Sequence, residues 1–321
     1  MQARLSRILV IRFEPVSDFV LSFAAARRIR EAHPRARITL LTSPQFEALA
    51  KTCPYFNEVD ADGALAGLGD QMRVASRIRQ GEFHQVYDLQ TSGRTNLLFQ
   101  FLRPSPPAWS GTAIGCSLPH RNRRREQMHP LERQADQLKA AGIWPDAPVE
   151  PGTAPGPDVS WVRSDAAPTG SEGAAGRPCA VLAPGGTSKA ERVWPIENYQ
   201  ALANTLRKRG FDIVVLGRPE DSALGRAIQR TVGAARDLTG RSDLVRIARL
   251  GARGALAVGN RSGAMHLLAA AGAPSVVLYA GGSDPALTAP RGRVKVLQAP
   301  ELKDLPVAQV AQAAQALLRS A

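Results

Sequence analysis

The chain has 321 residues, 44% of them hydrophobic and 21% charged, enough for two soluble globular domains of ordinary size. No apolar run approaches the length of a membrane span, and the three cysteines, Cys53, Cys116 and Cys179, are too scattered for a disulfide framework or a thiolate metal site, so a reducing cytoplasm fits. A formal charge of +13 points to an anionic partner: a polyanionic substrate, an anionic membrane face or nucleic acid. Nucleic acid is the least supported, because no aromatic residues interleave the densest basic run, Arg121 to Arg125, and no zinc-finger or RNA-recognition spacing occurs.

The opening, MQARLSRILVIRFEP, reads as a first strand over 6–12 and not as a signal peptide, since its apolar core is only four residues long. Asp18 then opens an amphipathic helix running to Pro34, where an Asp suits the N-cap. A strand is expected at 37–41 and a short helix at 46–52. The Asp-Ala-Asp triplet at 60–62 reads as a turn and not as a metal motif. A helix at 72–80, a strand at 83–89 and a helix at 91–102 complete an alternation of strand and helix that predicts a parallel sheet covered on both faces. Residues 104–128 read as irregular and basic, and 129–142 as a helix.

Composition changes over 151–178, where Pro, Gly, Ala and Ser dominate, marking a linker between domains 1–150 and 179–304. The second domain predicts strands at 179–182, 212–216, 255–258 and 275–279, with helices over 194–209, 220–232, 244–249 and 264–271. A closing helix spans 305–319. Residues 255–274, ALAVGNRSGAMHLLAAAGAP, form a strand, a Gly-bounded turn and a helix N-terminus. Free amides and the helix dipole make such an N-terminus a seat for phosphate, although the local pattern alone favours an ordinary strand-to-helix turn.

Four segments in order resemble glycosyltransferase family nine, the lipopolysaccharide heptosyltransferases. They are ILVIRFEPVSDFVLSFAAARRIREAHPRARITLL, YDLQTSGRTNLL, PGGTSKAERVWPIENYQALANTL and VGNRSGAMHLLAAAGAPSVVLYAGGSDPALTAPRG. The resemblance implies a GT-B fold, two Rossmann-like domains facing a central cleft, with the acceptor on the first and the nucleotide-sugar on the second. It implies an inverting sugar transfer from a nucleotide-diphospho-sugar, ADP-linked or otherwise, with no metal or other cofactor, to an anionic glycolipid at the cytoplasmic face of the inner membrane. A degenerate nucleotide- or glycan-binding protein with little transferase activity, or a nucleotide-sugar epimerase, is the alternative.

By position in those motifs, Asp18 matches the base that deprotonates the acceptor hydroxyl. Thr187, Ser188, Lys189 and Arg192 match the phosphate loop, where cations and hydroxyls stabilise the leaving diphosphate. Glu220 stands where a carboxylate reaches ribose hydroxyls or merely suits a helix start. Arg261, Ser262, Gly263, Ala264, Met265 and His266 match the donor motif, with Met265 available to pack on the base and His266 a phosphate contact or a buried structural histidine. The positive charge suits an anionic acceptor, with Arg121, Arg123 and Arg124 as its candidate contacts. The chain departs from the family at Arg261, where an acid is usual, and at Ser17, Ala264 and Gly282-Ser283. A guanidinium at 261 suits a carboxylate on a uronic-acid donor.

Overall fold

A computed structural model of the chain describes residues 6–63, 65–146, 148–163, 177–186 and 193–319. The chain divides into two compact units, Met1–Pro157 and Asp158–Ala321.

Unit 1 runs β1 (Arg7–Ile11), α1 (Val16–Ala32), β2 (Arg37–Leu41), α2 (Glu47–Thr52), β3 (Glu58–Asp60), α3 (Leu68–Gln80), β4 (Gln85–Asp88), α4 (Gly93–Phe101), β5 (Ala108–Gly111), β6 (Leu118–Pro119) and α5 (Pro130–Ala140). Its six strands form one parallel sheet in the order β3-β2-β1-β4-β5-β6. Ile8 to Ile11 are all buried, which is why β1 is continuously apolar instead of alternating. Each such side chain contributes on the order of 1.5–3 kcal/mol by leaving water. On one face, Val74, Ala75 and Ile78 of α3 and Leu98 and Phe99 of α4 join Leu9, Ile11 and Val86 of the sheet. Elsewhere Leu21 of α1 packs with Leu131 and Ala135 of α5.

Unit 2 runs β7 (Cys179–Ala183), α6 (Ile196–Lys208), β8 (Asp212–Val215), α7 (Ser222–Thr231), β9 (Arg236–Asp237), α8 (Leu244–Arg253), β10 (Leu256–Asn260), α9 (Gly263–Ala270), β11 (Ser275–Ala280), α10 (Pro285–Thr288), β12 (Val294–Ala299) and α11 (Val307–Arg319). Its sheet is again parallel, in the order β12-β11-β10-β7-β8-β9. In both units the chain winds outward from its first strand, returns, and winds outward the other way. The reversal falls between β1 and β4 in unit 1 and between β7 and β10 in unit 2, the places where doubly wound sheets open a crevice beyond their strand ends.

Several short elements differ from expectation. The triplet at 60–62 does not form a simple turn: Glu58–Asp60 is β3, a polar edge strand, and Asp60 and Asp62 are both paired with Arg77. The stretch expected to be irregular contains β5 and β6, four and two residues long and carrying Gly and Pro, too short to show a period. β12 is an edge strand whose burial alternates, and its VKVLQA sequence stands outside every expected strand. The Pro-rich stretch belongs partly to each unit, with Ala154 in the core of unit 1 and the Val159 amide bonded to the Ala270 carbonyl of unit 2.

Candidate functional site

β1 and β4 pair with Ile11 opposite Asp88, so the segments 12–18 and 88–91 leave the sheet side by side at the strand reversal. Arg12 turns inward and is 2% exposed. Its Nη1 donates to the Leu89 carbonyl at 2.6 Å, and its Nη2 lies 2.8 Å from Asp18 Oδ2. Burial pulls the Arg12 pKa down, and the Asp18 charge works against that pull. The Asp18 side chain is 24% exposed, so its carboxylate is anchored from beneath yet reachable from solvent. Among the described residues Oδ1 receives only a long contact, 3.5 Å, from the Ser17 hydroxyl.

The expected capping role of Asp18 is not found. Pro15 occupies the N-cap of α1 with no side-chain capping bond, and Asp18 is the third helical residue. A carboxylate in that first turn still suits the helix dipole.

Three residues that sequence reasoning left unassigned hold this corner together. Asp88, fully buried at the end of β4, accepts the Gln90 and Thr91 amides through Oδ1 at 3.1 and 2.9 Å. Gln90 then bridges to the other segment: its Oε1 accepts the Phe13 amide at 2.9 Å and its Nε2 donates to the Glu14 carbonyl at 3.1 Å. Thr91 sits at φ 45°, a conformation a β-branched residue avoids. It is held by Asp88 and by Arg125 Nη2, which donates to its hydroxyl at 2.6 Å. The Asp-Leu-Gln segment therefore builds the platform that delivers Asp18.

Burial pushes the Asp88 carboxyl up to about 6, against the lowering effect of the Thr91 and Gln90 amides, the Thr95 hydroxyl and Arg12. The native state then binds this proton more tightly than the unfolded chain does, so this group's contribution to stability falls as pH rises from about 4 to about 6. Asp88→Asn keeps an oxygen for both amides and removes the buried charge. The variant should match the parent near pH 4 and gain on it, by on the order of 2–3 kcal/mol, at pH 7. Thermal melts of both proteins across that range test this; a difference independent of pH contradicts it.

Among the cations, Arg121, Arg123 and Arg124 are exposed and have no carboxylate partner among the described residues. Arg125 and Arg133 are the members of this region whose charges reach the buried pair, Arg125 acting on Asp88 and Arg133 on Arg12. A cavity of about 710 Å³ opens at this end of the sheet, lined by Phe13, Glu14, Ser43, Gly63, Gln90 and Arg94 among others, a size that suits a sugar-sized ligand. A larger cavity of about 980 Å³ follows edge strand β3, and several of its charged walls are paired internally, Lys51 with Glu47 and Arg77 with Asp60.

In unit 2 the loops after β7, β8 and β10 converge at the strand ends. Gly185 and Gly186 lie between the other two. A Cβ on Gly185 would overlap Asp221 Oδ2, and one on Gly186, which sits at φ +124°, would come within 3.0 Å of Ser262. Ser262 caps α9, accepting the Met265 amide at 3.4 Å, and the Gly263 and Ala264 amides take no acceptor among the described residues. Arg261 is exposed just ahead of this N-terminus, with no carboxylate partner among the described residues.

Several expectations are refined. Met265 is fully buried in the core and offers no surface to a base. Gly259 is a packing residue: a Cβ there would come within 2.8 Å of Met265 Sδ and of Ala183. His266 is 4% exposed. Glu220 is exposed and pairs with Arg218 at 2.8 Å, whereas the neighbouring Asp221 is the buried carboxylate, accepting the Arg218 amide at 2.9 Å beneath Gly185. Thr187, Ser188, Lys189 and Arg192 lie outside the described residues.

Residues 71–310 match the family model of glycosyltransferase family 9 (heptosyltransferase). The chain belongs to glycosyltransferase family 9. It is 27% identical over 308 residues to lipopolysaccharide heptosyltransferase 2 of Salmonella typhimurium, covering 88% of this chain and 85% of that one. The structure of the E. coli ADP-heptose lipopolysaccharide heptosyltransferase II superposes with a TM-score of 0.79 at 23% identity, covering 98% of this chain and 99% of that one. A family 9 glycosyltransferase from Veillonella parvula superposes with a TM-score of 0.81 at 21% identity, covering 100% and 99%. The fold of this family 9 glycosyltransferase is accordingly GT-B. Among the described residues no three His, Cys, Asp or Glu side chains gather to hold a metal, and no helix is long and apolar enough to cross a membrane.

Within the family 9 fold the loops at the strand ends of unit 2 depend on Asn260, a buried residue that the sequence reading passed over. Its Nδ2 donates to the Pro184 carbonyl, and its Oδ1 accepts the Trp194 amide at 3.3 Å and the Tyr199 hydroxyl at 3.1 Å. One side chain thus ties the turn after β7 to the end of β10 and to the start of α6. Asn260→Ala leaves three buried polar groups unpaired and should cost about 3–5 kcal/mol of stability in unit 2, lowering nucleotide affinity with it. A thermal melt within a degree or two of the parent contradicts this.

Proposed function

We propose that this family 9 enzyme transfers a sugar, with inversion and without a metal, from a nucleotide-diphospho-sugar to a lipopolysaccharide core or related surface glycan. The observation that carries the reading is the Arg12–Asp18 pair: a carboxylate fixed at the strand reversal, anchored on one oxygen by a buried guanidinium and open to solvent. The acceptor hydroxyl gives its proton to Asp18 as its oxygen attacks the anomeric carbon. The bond from that carbon to the diphosphate breaks, and its electron pair leaves with the nucleoside diphosphate. Charge growing on the leaving group is stabilised by the α9 N-terminus, with its open Gly263 and Ala264 amides, and by the cations Lys189 and Arg192. ADP is the proposed nucleotide, following the ADP-heptose named for the E. coli relative. The acceptor is an anionic, lipid-linked sugar met at the cytoplasmic face of the inner membrane. Arg121, Arg123 and Arg124 are its proposed contacts, a role that suits their exposure.

Arg261 sets the donor sugar. Exposed at the mouth of the α9 turn with no carboxylate partner among the described residues, its guanidinium suits bidentate pairing with a uronic-acid carboxylate. Initial rates with matched neutral and acidic nucleotide-sugars test this. The acidic donor should be preferred by about tenfold or more, and Arg261→Asp should reverse the order. Equal rates in the parent sink the assignment. The same residue favours a second reading, a nucleotide-binding protein with weak transfer, which retained nucleotide affinity with no turnover of any donor would support.

A further inference from the structure

Among the described residues, the large hydrophobic side chains left exposed are Leu68, Met72, Leu97 and Ile114, at 66%, 61%, 40% and 87%. All four belong to unit 1. Leu68 and Met72 lie one turn apart on α3, and Leu97 is on α4. These helices are tied at both ends, Gln71 donating to the Arg94 carbonyl at 3.3 Å and Arg79 to the Phe101 carbonyl. Ile114 stands on the loop after β5, which lies along the other flank of α4. There Thr112 donates to Asn96 at 3.1 Å and Gln100 to the Ile114 carbonyl, also at 3.1 Å. Single exposed hydrophobics are ordinary, but four on three adjoining elements of a soluble fold mark a contact surface.

The charge of the same region is one-sided. Residues 89–125 carry six arginines and no Asp or Glu. Arg79, Arg94 and Arg103, on or beside these helices, are exposed and have no carboxylate partner among the described residues. The acids at the start of α3 are spoken for, Asp62 and Asp70 both pairing with Arg73. Apolar side chains flanked by arginines that lack a carboxylate partner are the composition of a surface that enters the headgroup layer of an anionic bilayer. A protein partner would equally accept the apolar groups, but the absence of acidic residues over 37 consecutive positions favours a uniformly anionic plane.

We infer that the α3–α4 face of unit 1, with Leu68, Met72, Leu97 and Ile114 inserting and Arg79, Arg94 and Arg103 on the headgroups, docks this enzyme on an anionic lipid bilayer. The inference deepens the reading of a lipid-linked acceptor by naming the surface that meets the membrane. It is tested without donor or acceptor, so its failure and the failure of that reading are distinguishable. The full chain is sedimented with vesicles of phosphatidylglycerol and phosphatidylethanolamine, with phosphatidylcholine vesicles as the neutral comparison, at low and high salt. The parent should partition onto the anionic vesicles, with salt weakening the partition. The Leu68→Ser, Met72→Ser, Ile114→Ser variant and the Arg79→Gln, Arg103→Gln variant should each lose about tenfold or more of it, with unchanged turnover of a short water-soluble acceptor. No partition by the parent, equal partition onto neutral vesicles, full partition by the apolar variant, or retention of duplex DNA in place of vesicles overturns the inference.

Discussion

Asp18→Asn should lower the rate of sugar transfer by about 10²–10⁴-fold while leaving nucleotide affinity close to that of the parent. The replacement keeps the size of the side chain and an oxygen for Arg12, so the Arg12 to Leu89 bond and the Gln90 bridge are undisturbed. What is lost to catalysis is the role a neutral amide cannot fill, acceptance of the acceptor's proton. Asp18 also balances the buried Arg12 guanidinium, so its loss costs some stability, on the order of 1–3 kcal/mol, while the catalytic effect falls on kcat. Steady-state kinetics with a saturating donor decide it. A variant that transfers within about threefold of the parent removes Asp18 from the chemistry.

Arg12→Met should damage both stability and turnover. The guanidinium is buried and serves two segments at once, the Leu89 carbonyl and the Asp18 carboxylate. A methionine fills much of the space but leaves that carbonyl without its donor and the carboxylate without its cation. Breaking a buried pair from one side typically costs about 3–5 kcal/mol, and the solvent still reaching Asp18 places this case near the lower bound. Asp18 is then no longer fixed, so kcat should fall by about tenfold or more with KM for the donor little changed. Arg12→Lys restores the charge but cannot reach both partners with a planar fork, and should sit between the two. Equal turnover in Arg12→Met and the parent would show that the pair is structural only.

Much of the architecture is legible in the chain because buried parallel strands are continuous apolar runs. Ile8 to Ile11, Cys179 to Ala183 and Ser275 to Ala280 announce themselves in this way, and the helices between them dictate parallel pairing. The elements that escape reading are those whose burial is partial. β3 is Glu-Val-Asp on an edge, β9 only two polar residues, and β12 alternates because one face is open.

The site follows the same division. Asp18 is visible because it stands in a motif. Its supports are not, because they are tertiary: Arg12 meets Leu89, and Phe13 meets Gln90, each across 77 positions of sequence. Strand pairing alone brings them together. The neighbours Glu220 and Asp221 cannot be told apart by composition, yet the Gly185 backbone lies against one and leaves the other in solvent. Met265 reads as a ligand residue only until the core fills around it.

The most direct test of the account supplies ADP-heptose, the matching uronic-acid donor and a lipid-linked core acceptor in turn, with a chelator present throughout. The acceptor is weighed by mass spectrometry and the new bond is assigned by NMR. The expected result is a mass gain of one sugar residue, an anomeric configuration opposite to that of the donor, an equal rate without chelator, and loss of the product in Asp18→Asn. A retained configuration, a rate abolished by the chelator, or an isomerised donor with an unaltered acceptor would contradict it.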